Sequence, residues 1–214
     1  MKDEIIKKHK ENGVVFIDEN TAYIDETVVI GEGTVIEPNV YLRGDTVIGK
    51  NVIIGFCSDI SSSKINDGAS VKHSVIVDSV VGEGTTVGPF AYLRPNSVIG
   101  KNVRLGDFVE IKNSNIGDET KISHLTYVGD ADVGKNVNFG CGTVVVNYDG
   151  KKKHRSVIKD NAFIGCNTNL VSPVTVEECA FTAAGSTITD DVPKDSLAIA
   201  RAKQVIKKDW VKSR

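Results

Sequence analysis

Aliphatic side chains return at every sixth position over most of this 214-residue chain, and that period restricts the fold more than any other feature. Ile24, Ile30, Ile36, Leu42, Ile48, Ile54 and Ile60 follow one another without a miss. Ile65, Val71 and Ile76 carry the pattern through slips, and it returns at Val81, Val87, Leu93, Ile99, Leu105 and Ile111. It resumes at Val133, Phe139 and Val145, then at Ile158, Ile164, Leu170, Val176, Thr182 and Ile188. Neither an α-helix nor a simple alternating strand has a period of six, but a short strand followed by a tight corner does. The residue after the aliphatic one is often Gly, as at Gly31, Gly49, Gly100 and Gly165, which frees the backbone where the chain turns.

Three such hexads close one coil, so the span from Ile24 to Ile188 predicts about nine coils of a hexapeptide β-helix. Five-residue steps, such as Ile60 to Ile65 and Ile111 to Ile116, are expected to be absorbed at corners. Composition agrees: 30 Val and 21 Ile stand against only six Leu and 13 aromatic residues. β-Branched side chains pack well on pleated strands and lose rotamer freedom in helices, so a helical bundle is disfavoured.

The expected organisation has three parts. Residues 1–20 form a short N-terminal helix and lead-in, since Lys2 to Lys10 have helix-forming composition before Gly13 breaks it. Residues 21–192 form the β-helix. Residues 193–214, which lack the hexad rhythm and are strongly basic, form a C-terminal helix or extended arm that caps the solenoid. The 13-residue step from Val145 to Ile158 requires an inserted loop at 147–157, and its sequence NYDGKKKHRS makes it the first place to look for a ligand.

The formal charge of −2 excludes a surface built as a whole for nucleic acid or anionic membrane. No apolar run approaches the roughly 18 residues of a spanning helix, and the N-terminus lacks a signal-peptide core, which predicts a soluble, cytoplasmic protein. Cys57, Cys141, Cys166 and Cys179 include no CxxC pair and read as free thiols rather than a zinc or disulfide framework.

Hexapeptide repeats are shared by many acyltransferases, and three longer stretches narrow the choice. FVEIKNSNIGDETKISHLTYVGDADVGKNVNFGCGTVVVNYDG, preceded by AYLRPNSVIG and followed by TAAGSTITDDVPKDSLAIAR, resembles the acetyltransferase domain of the bifunctional N-acetylglucosamine-1-phosphate uridyltransferase/glucosamine-1-phosphate acetyltransferase family. The resemblance extends over nearly the whole chain, including Asn12 to Val14. It implies a left-handed parallel β-helix, an exception to the usual right-handed crossover, assembled as a homotrimer with active sites between subunits. The glycine-rich nucleotide loop of the family's uridyltransferase half has no counterpart in the sequence, so uridyl transfer is not expected.

The implied reaction is attack of the 2-amine of glucosamine 1-phosphate on the thioester of acetyl-CoA, with no metal required. A base must take the ammonium proton. The family's catalytic histidine matches His124 within HLTY, and an imidazole suits that task near neutral pH. His9 lies in the terminal segment, His73 in an irregular hexad and His154 in the basic loop. By the same match Arg94, Lys112 and Lys153 meet the sugar phosphate, Arg as a planar fork and Lys as a point charge. Tyr127 and Asn138 hydrogen-bond the sugar. The acetyl-CoA groove includes Cys141, Asn147, Tyr148, Cys166, Ala184 and Arg201, with Lys203, Lys207 and Lys208 as helpers toward phosphate. Two positions depart from the family, which commonly has Ala at Cys141 and Ser at Cys166. Small size is kept, but a side-chain hydrogen bond is weakened at Cys166. A different amino-sugar or nucleotide-sugar acceptor, and a non-catalytic trimeric scaffold, are the alternatives. A hexapeptide-repeat carbonic anhydrase would need more histidines on the regular coils than the chain offers.

Overall fold

The protein was analysed as a computed structural model that describes residues 2–214. Met1, the first residue of the expected N-terminal segment, lies outside them. The chain is a left-handed parallel β-helix, all strands pairing in parallel, preceded by one helix, α1 (Lys2–Glu11). Most strands are two or three residues long, and each coil contributes one to each of three faces. The first face runs from Val15–Phe16 through Val35–Ile36 and Ile53–Ile54 to Phe181–Thr182 and Leu197–Ala198. The second runs from Tyr23–Ile24 to Thr187–Ile188, and the third from Val29–Ile30 to Thr175–Val176. Rungs therefore begin before residue 21 and continue past residue 192, because both flanking segments find a free strand edge to pair with.

The aliphatic file points inward. Ile36, Leu42, Ile48, Ile54, Ile60, Ile65 and Ile76 are fully buried, as are Leu93, Leu105 and Ile111. Ile116, Ile122 and Val128 fill the stretch between Ile111 and Val133, so the period continues there with a five-residue step at each end. On the third face Ile48 pairs with Ile65, Val81 with Ile99, and Ile99 with Ile116, one coil apart in each case despite unequal chain lengths between them. The slips fall at corners, where residues such as Ser62 and Asn113 take positive φ. Asn recurs at one corner in Asn51, Asn102, Asn136 and Asn161, all left-handed, which Asn tolerates better than most residues.

Both ends are treated differently from the middle. At the N-terminal end α1 places Ile6 and its neighbour segment's Val14 in the core, with His9 buried beneath them. At the C-terminal end the chain past Ala198 is an exposed arm closing in a short 3-10 turn at Trp210–Ser213, where Arg214 stacks on Trp210. The arm, not a helix, is what forms. Among the described residues no helix is long and apolar enough to cross a membrane, and no cluster of His, Cys, Asp and Glu could hold a metal ion.

His9 is a weak point of the cap. Burial, assisted by the charge of Lys8, lowers its pKa, and its Nδ1 has no hydrogen-bond partner among the described residues. The unfolded chain therefore binds a proton more readily than the folded one. Stability is complete above the unfolded imidazole pKa of about 6.5 and falls as pH drops toward the lowered folded value. Denaturation midpoints measured from pH 7.5 down to 5 should decline, and His9→Leu should flatten the decline. An equal pH dependence in the variant would assign the loss to other groups.

Candidate active site

One corner, between the first and second faces, repeats a four-residue turn: Gly106–Val109, Ser123–Thr126, Gly140–Thr143, Gly165–Thr168 and Ala183–Ser186. The third residue of each turn has positive φ. The fourth, where it is Thr, folds its hydroxyl back onto a turn carbonyl, as Thr126 does to the His124 oxygen at 2.7 Å and Thr143 to the Gly140 oxygen at 2.7 Å. The second residue of each turn is Asp107, His124, Cys141, Cys166 or Ala184, and each is exposed or half-buried. These residues occupy equivalent places in successive coils. Asp107 is the register partner of His124, the Asn167 N–H donates to the Cys141 carbonyl, and the Gly185 N–H donates to that of Cys166. Arg201 follows at the end of the column beside Gly185.

Close stacking at this corner depends on glycine. A Cβ on Gly106 would stand 1.9 Å from the Ser123 oxygen, and one on Gly140 would stand 2.4 Å from the Cys166 nitrogen. His124 Nδ1 lies 2.6 Å from Asp107 Oδ1, and this hydrogen bond is the main reason the Asp107 carboxyl sits below the usual carboxylate range. A groove of about 220 Å³ beside the pair is walled in part by Lys72, Thr86, Arg104 and Ser123.

The second group of candidates gathers on the second face and the inserted loop. Arg94 donates to Glu110 at 2.9 Å, which raises its pKa, with Tyr92 and Tyr127 nearby. Lys112 is largely buried, 3.8 Å from Asp130. Its pKa is pushed down, chiefly by the neighbouring Lys153 and then by burial, against the pull of Asp130, and Arg94 adds to the repulsion. Burial pushes the Asp130 carboxyl up, but hydrogen bonds from Asn113 and Asn147 and the charges of Lys112 and Lys153 outweigh it. Asn147 also approaches the Tyr127 hydroxyl at 3.3 Å.

The loop is ordered by its own contacts. Tyr148 and Lys153 form an antiparallel bridge, and the His154 N–H donates to the Asn147 carbonyl at 2.8 Å. Asp149 accepts from the Lys151 and Lys152 N–H groups and pairs with His154 Nε2 at 2.7 Å, and His154 first, then those backbone donors, bring its pKa down to about 2. Arg155 straps the loop to the coil through Asp132 at 2.6 Å and the Asn113 carbonyl at 2.9 Å. His154 is thus committed within the loop.

The structure brings Arg94, Lys112, Tyr127 and Lys153 together and stacks His124, Cys141, Cys166, Ala184 and Arg201 in one column. Asn147 joins the first group rather than the column, Tyr148 stays in the loop, and Asn138 lies on the first face beside Lys121 and Phe163. The two groups share the Lys121–Gly129 strand, which carries His124 at its corner and Tyr127 three residues on. Asp107, Glu110, Asp130 and Arg155 were not singled out from the sequence. An offset of one coil was the available signal: Asp107 precedes His124 by 17 residues and Asp130 follows Lys112 by 18.

The bacterial transferase hexapeptide family (six repeats) matches residues 27–58 and 78–113. Those two stretches carry the hexapeptide repeats of that family. It is 59% identical over 211 residues to the bifunctional protein GlmU of Clostridium kluyveri, covering 99% of this chain and 46% of that protein. It is 58% identical over 214 residues to the GlmU of Clostridioides difficile, covering 100% of this chain and 47% of the relative. The chain therefore spans about half the length of these relatives. Among solved structures, the Arabidopsis UDP-N-acetylglucosamine acyltransferase superposes with a TM-score of 0.62 at 19% identity, over 84% of this chain and 70% of that one. That likeness concerns the fold.

Asp130 should matter to stability because, among the described residues, it is the carboxylate paired with the largely buried Lys112 ammonium. Asp130→Ala is expected to cost about 3 kcal/mol or more in urea denaturation, as for a broken buried pair. A loss under 1 kcal/mol would mean that water already solvates Lys112.

Proposed function

We propose that this chain transfers the acetyl group of acetyl-CoA to the 2-amine of glucosamine 1-phosphate, releasing N-acetylglucosamine 1-phosphate and CoA, a step toward UDP-N-acetylglucosamine. The observation that carries the reading is the convergence of Arg94, Lys112 and Lys153 beside Tyr127, which shares the Lys121–Gly129 strand with the outward-facing His124. Three cations repelling one another around a half-buried lysine form a site that an anion would relieve. The end-to-end similarity to GlmU supports the same assignment.

In this reading Arg94, Lys112 and Lys153 bind the sugar phosphate, and Tyr127, Asn147 and Asn138 orient the sugar. His124 removes the ammonium proton, freeing the nitrogen lone pair to attack the thioester carbonyl. The C–S bond then breaks, the sulfur leaves as the thiol with the proton returned from the imidazole, and the acylated nitrogen gives up its second proton to solvent. The column of small residues Cys141, Cys166 and Ala184 suits a pantetheine arm laid across rungs about 4.8 Å apart. Arg201 and the arm's Lys203, Lys207 and Lys208 stand at the phosphate end, and Tyr148 borders the groove from the loop. Backbone N–H groups near Cys141 would meet the oxyanion. In this reading transfer is direct, within a ternary complex and without an acyl-cysteine.

The assembly we propose is a homotrimer. Phe56, Phe90, Phe108 and Leu125 form an exposed apolar stripe on the corner that carries His124, with His73 between Phe56 and Phe90 and the Phe90 and Phe108 rings stacked at 5.3 Å. Phe90, Phe108 and Leu125 hold positive φ, which bulky residues rarely adopt. A second copy covering the stripe would enclose each active site between subunits. The same reading puts the protein in the cytoplasm, where both substrates are found, with no nucleic-acid or membrane partner.

Thiol release with acetyl-CoA and glucosamine 1-phosphate should be robust, and glucosamine or UDP-glucosamine should serve poorly. Activity confined to those two acceptors would replace the substrate, and none with any acceptor would favour a scaffold. His124→Ala should lower turnover by roughly 10²–10⁴ while leaving the fold intact. Light scattering should give three times the 23.0 kDa chain mass. The double change Phe90→Asp and Phe108→Asp should yield monomers, and a persistent trimer would move the seam elsewhere.

A further inference from the structure

We infer that Asp107 is a positioning residue for the acetyl transfer, holding the His124 ring by its Nδ1–H so that Nε2 faces the substrate amine as the proton acceptor. This deepens the assignment of His124 as the base and rests on it. The two residues are in direct register on the Arg104–Lys112 and Lys121–Gly129 strands, at the same place in successive turns, and Gly106 lets those turns stack closely enough for a 2.6 Å contact. A carboxylate can only accept a hydrogen bond, so the nitrogen it touches must carry the proton. Nε2 is then the nitrogen with the free lone pair, and it has no partner among the described residues.

Little else fixes the ring. The His124 side chain is 56% exposed, and the next turn of the column presents only the small Cys141. A neutral imidazole so exposed would sample both tautomers and several orientations, and only one of them aims a base at the amine. Asp107 is itself steadied by its own backbone N–H.

The test uses the full chain labelled with ¹⁵N-histidine, at a pH where imidazoles are neutral, with the His124 signal assigned by its loss in His124→Ala. Wild-type protein should show a proton on Nδ1 and a bare Nε2. Asp107→Ala should show mixed tautomers, with kcat reduced by about 10–100-fold, the scale of losing a second partner that orients a ligating histidine, and KM for glucosamine 1-phosphate within about threefold. Asp107→Asn can present either its oxygen or its amide to the ring. Turnover across the three proteins should follow the fraction bearing the proton on Nδ1, whichever way the asparagine sits. An unchanged tautomer in Asp107→Ala, or turnover that ignores the tautomer while His124→Ala is inactive, overturns the inference. Full turnover in His124→Ala would instead remove the base assignment and leave the Asp107–His124 pairing intact.

Discussion

The whole molecule depends on the requirement that a narrow three-sided interior be filled by one aliphatic side chain per rung. Ile48, Ile65, Val81, Ile99 and Ile116 stack on one face because each must cover its predecessor, and chain length between them adjusts to that need. Shortening occurs only where the backbone is already turning. A longer excursion, such as the loop between Val146 and Ser156, must leave the prism and return at the same rung, so that Ala131 still pairs with Ser156 and Val133 with Ile158. Register is thereby protected from local accidents. Residues one coil apart are held about 4.8 Å from each other along the axis.

That spacing makes columns the natural unit of chemistry. Stacked like charges would repel, and several outward charges are offset by an opposite charge one coil away. Arg43 meets Asp59, Arg94 meets Glu110, and Lys101 meets Glu83. Cross-strand pairs of this kind contribute modestly where exposed. Lys112 breaks the pattern: its carboxylate partner is 3.8 Å away, shared with two asparagines, and a second ammonium is pressed toward it by the loop. The loop that carries that ammonium is strapped to the coil by the ion pair of Arg155 with Asp132. An anion bound there would relieve that repulsion.

The sequence makes the coil legible because inward positions admit a single chemical type at a fixed interval. The outward positions obey no such rule, and there legibility came from elsewhere. His124, Lys112 and Arg94 stood out through family resemblance, whereas Asp107, Asp130 and Arg155 belong to no short motif and become visible only when the coil is closed. The stretch from Ile111 to Val133 obscured its own continuity, since five-residue steps at Ile116 and Val133 shift the phase just where the strands lengthen to nine residues and run through a corner. Those long strands carry both candidate groups. The C-terminal arm was ambiguous for a physical reason as well: its apolar residues Val205, Ile206 and Val211 find no surface on a single chain and stay exposed.

The exposed apolar corner bears on how the two groups could cooperate. Along one prism, Phe56, Phe90, Phe108 and Leu125 lie toward the N-terminal end of the corner, and Cys141, Cys166 and Ala184 lie toward the other. His124 sits where the bulky run gives way to the small one. A neighbour packed on the bulky half would be held off the small half by the same straight corner, leaving a slot one side chain deep whose inner end is the imidazole. Side-chain size along one corner would then define both the contact and the groove. Replacing a small residue of that corner with a large one should close the slot without disturbing the inward file, because Cys141, Cys166 and Ala184 are exposed or half-buried while the file is buried.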